Sequence, residues 1–218
     1  SVAVYPLYAR LLDLVFPPRC PGCRARGVLL CARCLERCSA LRCADGAPAR
    51  SRRGSPLLQT ATGLYEYDAP LREAIHLYKY RHRRAMSGPL GALLVEALPD
   101  VARGCDAVVP VPLHPSRLRE RGFNQSTLLA EAAGTALGLP VDERLLRVRA
   151  TPHQVGSGSR QREANVHDAF GWHAPETAPR VVLLVDDVLT TGATLRACAR
   201  ALHAAGTREV HGIALANG

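Results

Sequence analysis

A run of five aliphatic residues at positions 181–185 leads directly into two carboxylates, Asp186 and Asp187, and then into a threonine-rich turn. A short apolar run bounded by turn residues is typical of a strand that is buried on both faces, and such strands occur mainly in parallel sheets. A helical pattern begins at Ala193. The segment therefore predicts a buried strand followed closely by the start of a helix.

The turn after the two carboxylates has the composition of an anion site, and we call residues 190–194 the phosphate turn. Its members are Thr190, Thr191, Gly192, Ala193 and Thr194. Backbone N–H groups at a helix start attract phosphate, glycine permits close approach, and threonine hydroxyls add donors. Because the carboxylates would repel the phosphate, we expect them to bind the hydroxyls of an attached sugar, which describes a ribose 5-phosphate. An ordinary strand-end turn with a threonine cap is the structural alternative.

The rest of the chain alternates between strand-like and helix-like segments. Strands are predicted at residues 57–67, 107–111, 181–185 and 209–214, and helices at residues 70–80, 86–98, 124–137 and 193–205. Such alternation predicts an α/β fold in which helices flank a parallel sheet. A length of 218 residues accommodates one such domain and a small appendage. We expect the appendage to span residues 1–55 and the main domain residues 56–218.

The appendage contains six of the eight cysteines, four of them in two CxxC pairs with seven residues between the pairs. These four are Cys20, Cys23, Cys31 and Cys34. Two closely spaced pairs predict a structural Zn²⁺ held tetrahedrally by four thiolates, and we call residues 20–34 the knuckle. Disulfides are the alternative, although nothing else in the sequence indicates export. Cys38 and Cys43 stay unassigned, and Cys105 and Cys198 are predicted to be buried apolar residues.

Positive charge is concentrated around the knuckle. Nine arginines and two acidic residues lie between Arg19 and Arg53, in a chain whose formal net charge is +9. This density suits contact with the phosphates of a nucleic acid, and a solvated basic face is the alternative. Four thiolates around zinc have a net charge of about −2, which leaves the region basic. Residues 44–56 have the composition of a linker.

No segment resembles a membrane span, because the longest aliphatic run has five residues and a spanning helix needs about 20. Residues 2–16 are apolar but are interrupted by Arg10 and Asp13, and no cleavage pattern follows. We therefore expect an amphipathic helix there rather than a secretory signal, and a cytoplasmic protein without membrane insertion.

Several further motifs occur in a fixed order along the chain. They are the two CxxC pairs, YEYDAPL at residues 65–71, Lys79, VPVP at 109–112, Arg117, RGFNQS at 121–126, REANVHDAF at 162–170 and VDDVLTTGAT at 185–194. In this order they resemble the ComF family of competence proteins over essentially the whole chain. One departure is that no intact CxxC pair follows Cys34.

The last of these motifs resembles the phosphoribosyl pyrophosphate (PRPP) motif of type I phosphoribosyltransferases. The resemblance implies a type I phosphoribosyltransferase fold that binds PRPP with Mg²⁺. It also implies that Asp186 and Asp187 hold the ribose hydroxyls and that the phosphate turn holds the 5-phosphate. The catalytic residues stay unknown.

The resemblance assigns a pyrophosphate loop to residues 111–122. Arg117 and Arg121 lie four residues apart, so a helical loop would place them on one face, where they could grip a diphosphate. Residues 151–160 have the composition of a mobile loop, which similar proteins use as a lid. Arg162 follows that loop and is the third pyrophosphate candidate. A basic surface stripe and a plain surface linker are the respective alternatives.

Two hypotheses about function follow, and they belong to different classes. In the first, the protein acts in DNA uptake: it binds PRPP and Mg²⁺ in its pocket and single-stranded DNA on its knuckle, with competence-machinery proteins as partners. In the second, it is an enzyme of nucleobase salvage that transfers the phosphoribosyl group to a base. Four tyrosines near Lys79 are candidates to cover or stack on a base in either case: Tyr65, Tyr67, Tyr78 and Tyr80.

Overall fold

The computed structural model describes residues 17–38, 56–79, 81–148 and 169–218, with residues 81–83 described by their backbone alone. The predicted N-terminal helix, Cys43, most of the linker, Tyr80, the predicted lid and Arg162 therefore lie outside the described residues. Within these ranges, no helix is both long enough and apolar enough to cross a bilayer.

The described residues form six strands and six α-helices. The strands are β1 Thr60–Glu66, β2 Ala107–Pro110, β3 Leu145–Arg147, β4 Phe170–Trp172, β5 Val181–Leu189 and β6 Glu209–Asn217. The helices are α1 Ala32–Leu35, α2 Leu71–Tyr78, α3 Ser87–Glu96, α4 Pro115–Arg121, α5 Gln125–Leu137 and α6 Ala193–Ala204. Short 3₁₀ segments occupy Arg81–Met86 and Asp100–Gly104.

Four strands form one sheet in the order β1-β6-β5-β2. All three pairings are parallel, so the predicted parallel α/β sheet is confirmed. The central pair extends from Val181 opposite Glu209 to Leu189 opposite Asn217. Because the strands are parallel, their carboxyl ends lie at one edge, where the ligands of open α/β sheets collect.

The aliphatic run of β5 is buried between two hydrophobic cores. Leu183 and Val185 face the core that contains the apolar sides of α2, α3 and α5. Val182 and Leu184 face the core formed with α6. All four side chains are fully buried. Since alternate side chains of a strand point to opposite faces, burial of both faces requires an uninterrupted apolar run.

Four elements differ from the sequence predictions. β5 continues to Leu189 because β6 pairs with it that far, and the two carboxylates therefore lie within the strand. Helix α4 lies in the loop region between β2 and α5, with His114 as its cap and Pro115 as its first residue. Strands β3 and β4 form a separate antiparallel pair. Each has only three residues, too few to show an alternating pattern.

The knuckle packs directly against the sheet domain. Cys20 and Cys34 belong to the same buried cluster as Leu71 of α2. A Cβ atom at Gly22 would overlap the side chain of Pro70 and would lie 2.9 Å from Cys34 Sγ. Glycine at this position therefore lets the knuckle approach the start of α2. The described parts on either side of residues 39–55 share one hydrophobic core.

Candidate functional site

The two carboxylates of the motif lie side by side on β5 but have different surroundings. Asp187 has 14% of its side chain exposed, and its Oδ2 lies 3.1 Å from Lys79 Nζ. Oδ1 of Asp186 accepts hydrogen bonds from the Ser126 hydroxyl at 3.1 Å and from the backbone N–H of Asp187 at 2.8 Å. Because adjacent strand residues point to opposite faces, the two acids meet different partners.

These surroundings raise the pKa of Asp186 toward neutral pH. Desolvation raises the pKa of Asp186 to about 7, and the charge of Asp187 adds to the rise. Hydrogen bonds from the Asp187 N–H and from Ser126, together with the charge of Lys79, act in the opposite direction. Burial raises the pKa of the nearby Cys198 thiol, and the negative charge of Asp186 raises it further. Cys198 is therefore a buried, protonated thiol rather than a nucleophile.

The phosphate turn connects the carboxylates to α6. Gly192 has a φ of +74° and immediately precedes the helix. The Ala193 N–H donates to Thr191 Oγ1 at 3.4 Å, and the Thr191 carbonyl accepts from the Arg196 guanidinium at 2.9 Å. The first N–H groups of a helix lack partners within the helix, and the helix dipole favours an anion there. The residues predicted for ribose and for phosphate thus lie together.

Two side chains that contact this site were missed by the sequence analysis as site residues, namely Lys79 and Ser126. Lys79 caps the carboxyl end of α2. Asn124 caps α5 by accepting a hydrogen bond from the Ser126 N–H at 3.2 Å. Both belong to the ordered motifs of the family resemblance, Lys79 by itself and Ser126 as the last residue of RGFNQS. Neither motif indicated which residue lies beside the carboxylates, because a serine in the first turn of a helix is ordinary.

Of the three arginine candidates for the pyrophosphate, Arg117 and Arg121 lie within the described residues. Arg117 and Arg121 are one turn apart on α4, so the helical arrangement that would place them on one face is present. Arg147, at the end of β3, lies close to both Arg117 and Asp186. Burial lowers the pKa of Arg147, Arg117 lowers it further, and Asp186 raises it. The Arg147 guanidinium also lies 5.5 Å from the centroid of the Phe170 ring.

The four cysteines of the knuckle converge on one point. Their Sγ atoms all lie within 4.8 Å of one another, and those of Cys23 and Cys31 are 3.5 Å apart. Tetrahedral zinc with Zn–S bonds of about 2.3 Å needs sulfur atoms about 3.8 Å apart, so the arrangement fits Zn²⁺. Burial opposes ionisation of Cys20, but hydrogen bonds from backbone N–H groups outweigh it and lower its pKa to about 6. A metal-binding thiolate is favoured by this environment.

Cys38 is not one of this group of four. Its thiol is buried and donates to the Cys34 carbonyl at 3.4 Å. Burial raises the pKa of Cys38 to about 11, which keeps it protonated. Cys105 and Cys198 are also buried, as predicted.

The knuckle region presents a row of exposed arginines. They are Arg19, Arg24, Arg26, Arg33 and Arg37. None of the five forms an ion pair with a residue that the structure describes. Their positive charge therefore faces solvent.

The tyrosines near Lys79 are less available than predicted. Tyr65 and Tyr78 are buried, and their hydroxyls donate to the carbonyls of Leu93 and Gln125. The prediction that they stack on a base is wrong for these two. Tyr67 is half-buried and stacks on His76, with ring centroids 6.4 Å apart.

Comparisons with known proteins agree with this architecture. Residues 129–218 match the family model of the phosphoribosyl transferase domain. DNA utilization protein YhgH of Salmonella typhimurium is 32% identical over 192 residues, which cover 84% of this chain and 77% of that protein. Competence protein F of Haemophilus influenzae is 33% identical over 152 residues, 66% of each protein. Competence protein ComFC of Bacillus subtilis is 30% identical over 166 residues, 73% of this chain and 65% of that protein.

Among solved structures, the glutamine PRPP amidotransferase of B. subtilis is 25% identical, with a TM-score of 0.37 over 57% of this chain and 25% of that chain. That score is too low to add to the assignment of the fold. The fold rests instead on the parallel sheet and on the family model, and the relatives match most of the chain's length. The chain therefore belongs to the ComF family, which includes competence protein F and DNA utilization protein YhgH, and it contains a phosphoribosyl transferase domain.

Proposed function

We propose that this protein binds PRPP with Mg²⁺ at the carboxyl edge of its sheet and single-stranded DNA on its knuckle, and that it acts in DNA uptake. The observation that supports ligand binding best is the position of Asp187 beside the phosphate turn. An ionised acceptor suits the ribose diol, and a helix start a few residues away suits the 5-phosphate.

The diphosphate of the ligand would lie toward the arginines that follow β2. Arg117 is the best-supported contact, because its charge acts on Arg147, a side chain that also interacts with Asp186. Arg121 and Arg162 are further candidates by resemblance to the family. A diphosphate has more negative charge than these side chains offset, so we expect Mg²⁺ to bind with the ligand's own oxygens.

DNA binding is supported by the exposed arginines around the knuckle. Zinc with four thiolates removes about two positive charges from the region and leaves it basic. Because Tyr65 and Tyr78 are buried, we expect contacts to the phosphates rather than stacking on bases to dominate. The names of the relatives, DNA utilization protein and competence protein, agree with this role. We place the activity in the cytoplasm, with competence-machinery proteins as partners.

Two titrations of the wild-type protein test the proposal. Calorimetry with PRPP should detect binding in the presence of Mg²⁺ and much weaker binding after chelation. Fluorescence anisotropy with a labelled single-stranded oligonucleotide should show an affinity that falls steeply as salt rises. Absence of a heat of PRPP binding with Mg²⁺ would refute the proposed PRPP site. A DNA affinity that does not change with salt concentration would refute the proposed DNA site.

Phosphoribosyl transfer to a nucleobase is the second candidate, and one cavity favours it. A space of about 310 Å³ opens at the same sheet edge, lined in part by Pro110, Phe123, Asn124 and Leu145. This volume is at the lower end of small-molecule pockets, which measure about 300–1,000 Å³. Incubating the protein with PRPP, Mg²⁺ and each nucleobase should then release pyrophosphate. If no base increases pyrophosphate release above the rate without acceptor, this candidate is excluded.

A further inference from the structure

The ion pair between Lys79 and Asp187 is not accounted for by the phosphate motif. Lys79 is the only lysine among 28 basic residues, and its Nζ lies 3.1 Å from Asp187 Oδ2. The two side chains are only 29% and 14% exposed. An ion pair that is largely shielded from water is screened less by salt than an exposed pair.

Packing of two helices determines where Lys79 lies. Its backbone N–H donates to the carbonyl of Ile75, which makes Lys79 the cap of α2. Tyr78 is fully buried and donates its hydroxyl to the Gln125 carbonyl at the start of α5. The next residue of α5, Ser126, contacts Asp186. The last turn of α2 is therefore bonded to the same helix that donates a hydrogen bond to Asp186.

The contact engages one oxygen of Asp187, Oδ2. An ammonium is a compact point charge, whereas an arginine fork pairs with both oxygens of a carboxylate. A sugar hydroxyl needs a free lone pair on the second oxygen. All other Lys or Arg positions of this chain hold arginine. The residue beside Asp187 is instead a lysine, which leaves the Oδ1 oxygen of Asp187 accessible.

We propose that Lys79 is a positioning residue for the ribose site, which neutralises Asp187 through one carboxylate oxygen and leaves the other to accept a hydrogen bond from the sugar. The inference rests on the proposed binding of PRPP. Lys79 acts through Asp187 rather than by contact with the ligand. By opposing the repulsion between Asp186 and Asp187, it also favours the ionised form of this adjacent pair of carboxylates.

Removing the Lys79 ammonium should change how PRPP affinity depends on pH. The pKa of Asp186 is raised to about 7 by desolvation and then by Asp187, and Lys79 and Ser126 are among the groups that lower it. Arg147 and Cys198 also interact with Asp186, and the buried Tyr78 hydroxyl interacts with Asp187. Without Lys79 the carboxylate pair holds a proton to a higher pH, and a protonated pair is a poorer acceptor. PRPP affinity should then fall as the pH drops and recover as it rises.

Calorimetry of the full chain with PRPP and Mg²⁺ near pH 6, 7 and 8.5 tests this in Lys79→Met, Lys79→Arg and a control, Arg72→Met. Arg72 lies on α2, is half exposed and pairs with Glu73. Near pH 6 we expect Lys79→Met to bind about tenfold more weakly than wild type, with most of the deficit gone near pH 8.5. Ionisation of the ligand's phosphate, with a pKa of about 6, affects all variants equally.

Lys79→Arg should bind more weakly than wild type at every pH, because its fork occupies both oxygens of Asp187. The control should follow wild type throughout. An equal deficit of Lys79→Met at all three pH values would indicate a merely structural role and overturn the proposal. Wild-type affinity in Lys79→Arg would overturn it as well.

A ligand-free measurement distinguishes this inference from the proposed function. NMR titration of ¹³C-labelled aspartate carboxyl groups, assigned with Asp186→Asn and Asp187→Asn, reports on the carboxylate pair directly. A higher titration midpoint in Lys79→Met supports the role of Lys79. It does so even if wild-type protein fails to bind PRPP, a result that would remove the proposed function alone. An unchanged midpoint overturns the role of Lys79 whatever the ligand result.

Discussion

Asp186 and Asp187 are identical in covalent structure and adjacent in sequence, yet their environments make them chemically different. Asp186 accepts two hydrogen bonds from the protein, and desolvation raises its pKa to about 7. Asp187 pairs with Lys79 through one oxygen. Asp186 is therefore the residue whose charge responds to pH near neutrality.

Asp187→Asn should weaken PRPP binding about ten- to hundredfold. The substitution keeps the shape of the side chain but replaces a charged acceptor with a neutral one, a loss of about 1.5 to 3 kcal/mol. Calorimetry with Mg²⁺ measures the change. Asp100→Asn is a matched control, because Asp100 is exposed in a 3₁₀ segment. Unchanged affinity in Asp187→Asn would show that this carboxylate does not bind the ligand.

Gly192→Val should abolish PRPP binding, for two separable reasons. Gly192 has a φ of +74°, which valine rarely adopts, and its Cβ would lie 3.2 Å from the Arg196 guanidinium. Gly138 has a similar φ of +69° with open space around it, so Gly138→Val should cause comparable backbone strain. We expect both variants to lose thermal stability and only Gly192→Val to lose PRPP affinity. Equal binding by the two variants would contradict the role of the phosphate turn.

Among the elements, α2 connects two parts of the protein that the sequence suggested were separate. Its amino-terminal cap is Pro70, which packs against Gly22 of the knuckle. Its carboxyl end presents Lys79 to Asp187. The hydrophobic cluster around α2 includes buried cysteines of the knuckle. Folding of the knuckle and stability of the sheet domain are therefore expected to be coupled.

Cys20→Ser should remove zinc and also lower the thermal stability of the whole domain. Loss of a structural metal costs several kcal/mol, which in a protein of this size corresponds to a fall in Tm on the order of 10 °C. Elemental analysis and thermal unfolding followed by circular dichroism measure the two effects. Cys105→Ser is the control and should retain one zinc per chain, since Cys105 is buried outside the knuckle. Zinc loss with an unchanged Tm would mean that the knuckle is thermodynamically independent.

At the scale of the whole molecule, charge is distributed unevenly. Five exposed arginines lie within residues 19–37, where the accompanying acid is Glu36. Exposed arginines on the sheet domain, such as Arg103 and Arg208, are spread more thinly along the chain. A polyanion is therefore expected to approach from the side of the knuckle, independently of its base sequence.

Replacing Arg19, Arg26 and Arg33 together with glutamine should reduce both the affinity for single-stranded DNA and its salt dependence. Removing one arginine–phosphate pair lowers the slope of log K against log salt by about 0.7, so three such pairs predict a decrease of about 2. Fluorescence anisotropy at several salt concentrations measures the slope. A triple variant of three other exposed arginines, Arg103, Arg180 and Arg208, controls for net charge. Equal slopes in both triple variants would place the DNA site elsewhere.

The sequence by itself determined those features whose signals are local. An uninterrupted aliphatic run predicts a strand buried on both faces, and two CxxC pairs predict convergent thiolates. Both were found as expected, because each depends on residues that are near one another in the chain. The two carboxylates and the phosphate turn were predictable as one site for the same reason, because they are contiguous in the sequence.

Tertiary structure alone decided which distant residues complete the site. The contacts of Lys79 with Asp187 and of Ser126 with Asp186 join separate elements, and the packing of Gly22 against Pro70 joins the knuckle to the sheet domain. A lone lysine, serine or glycine is compatible with many environments, so its partner is not encoded in its neighbours along the chain. Only the packing of the helices on the sheet determines which polar groups meet at its carboxyl edge.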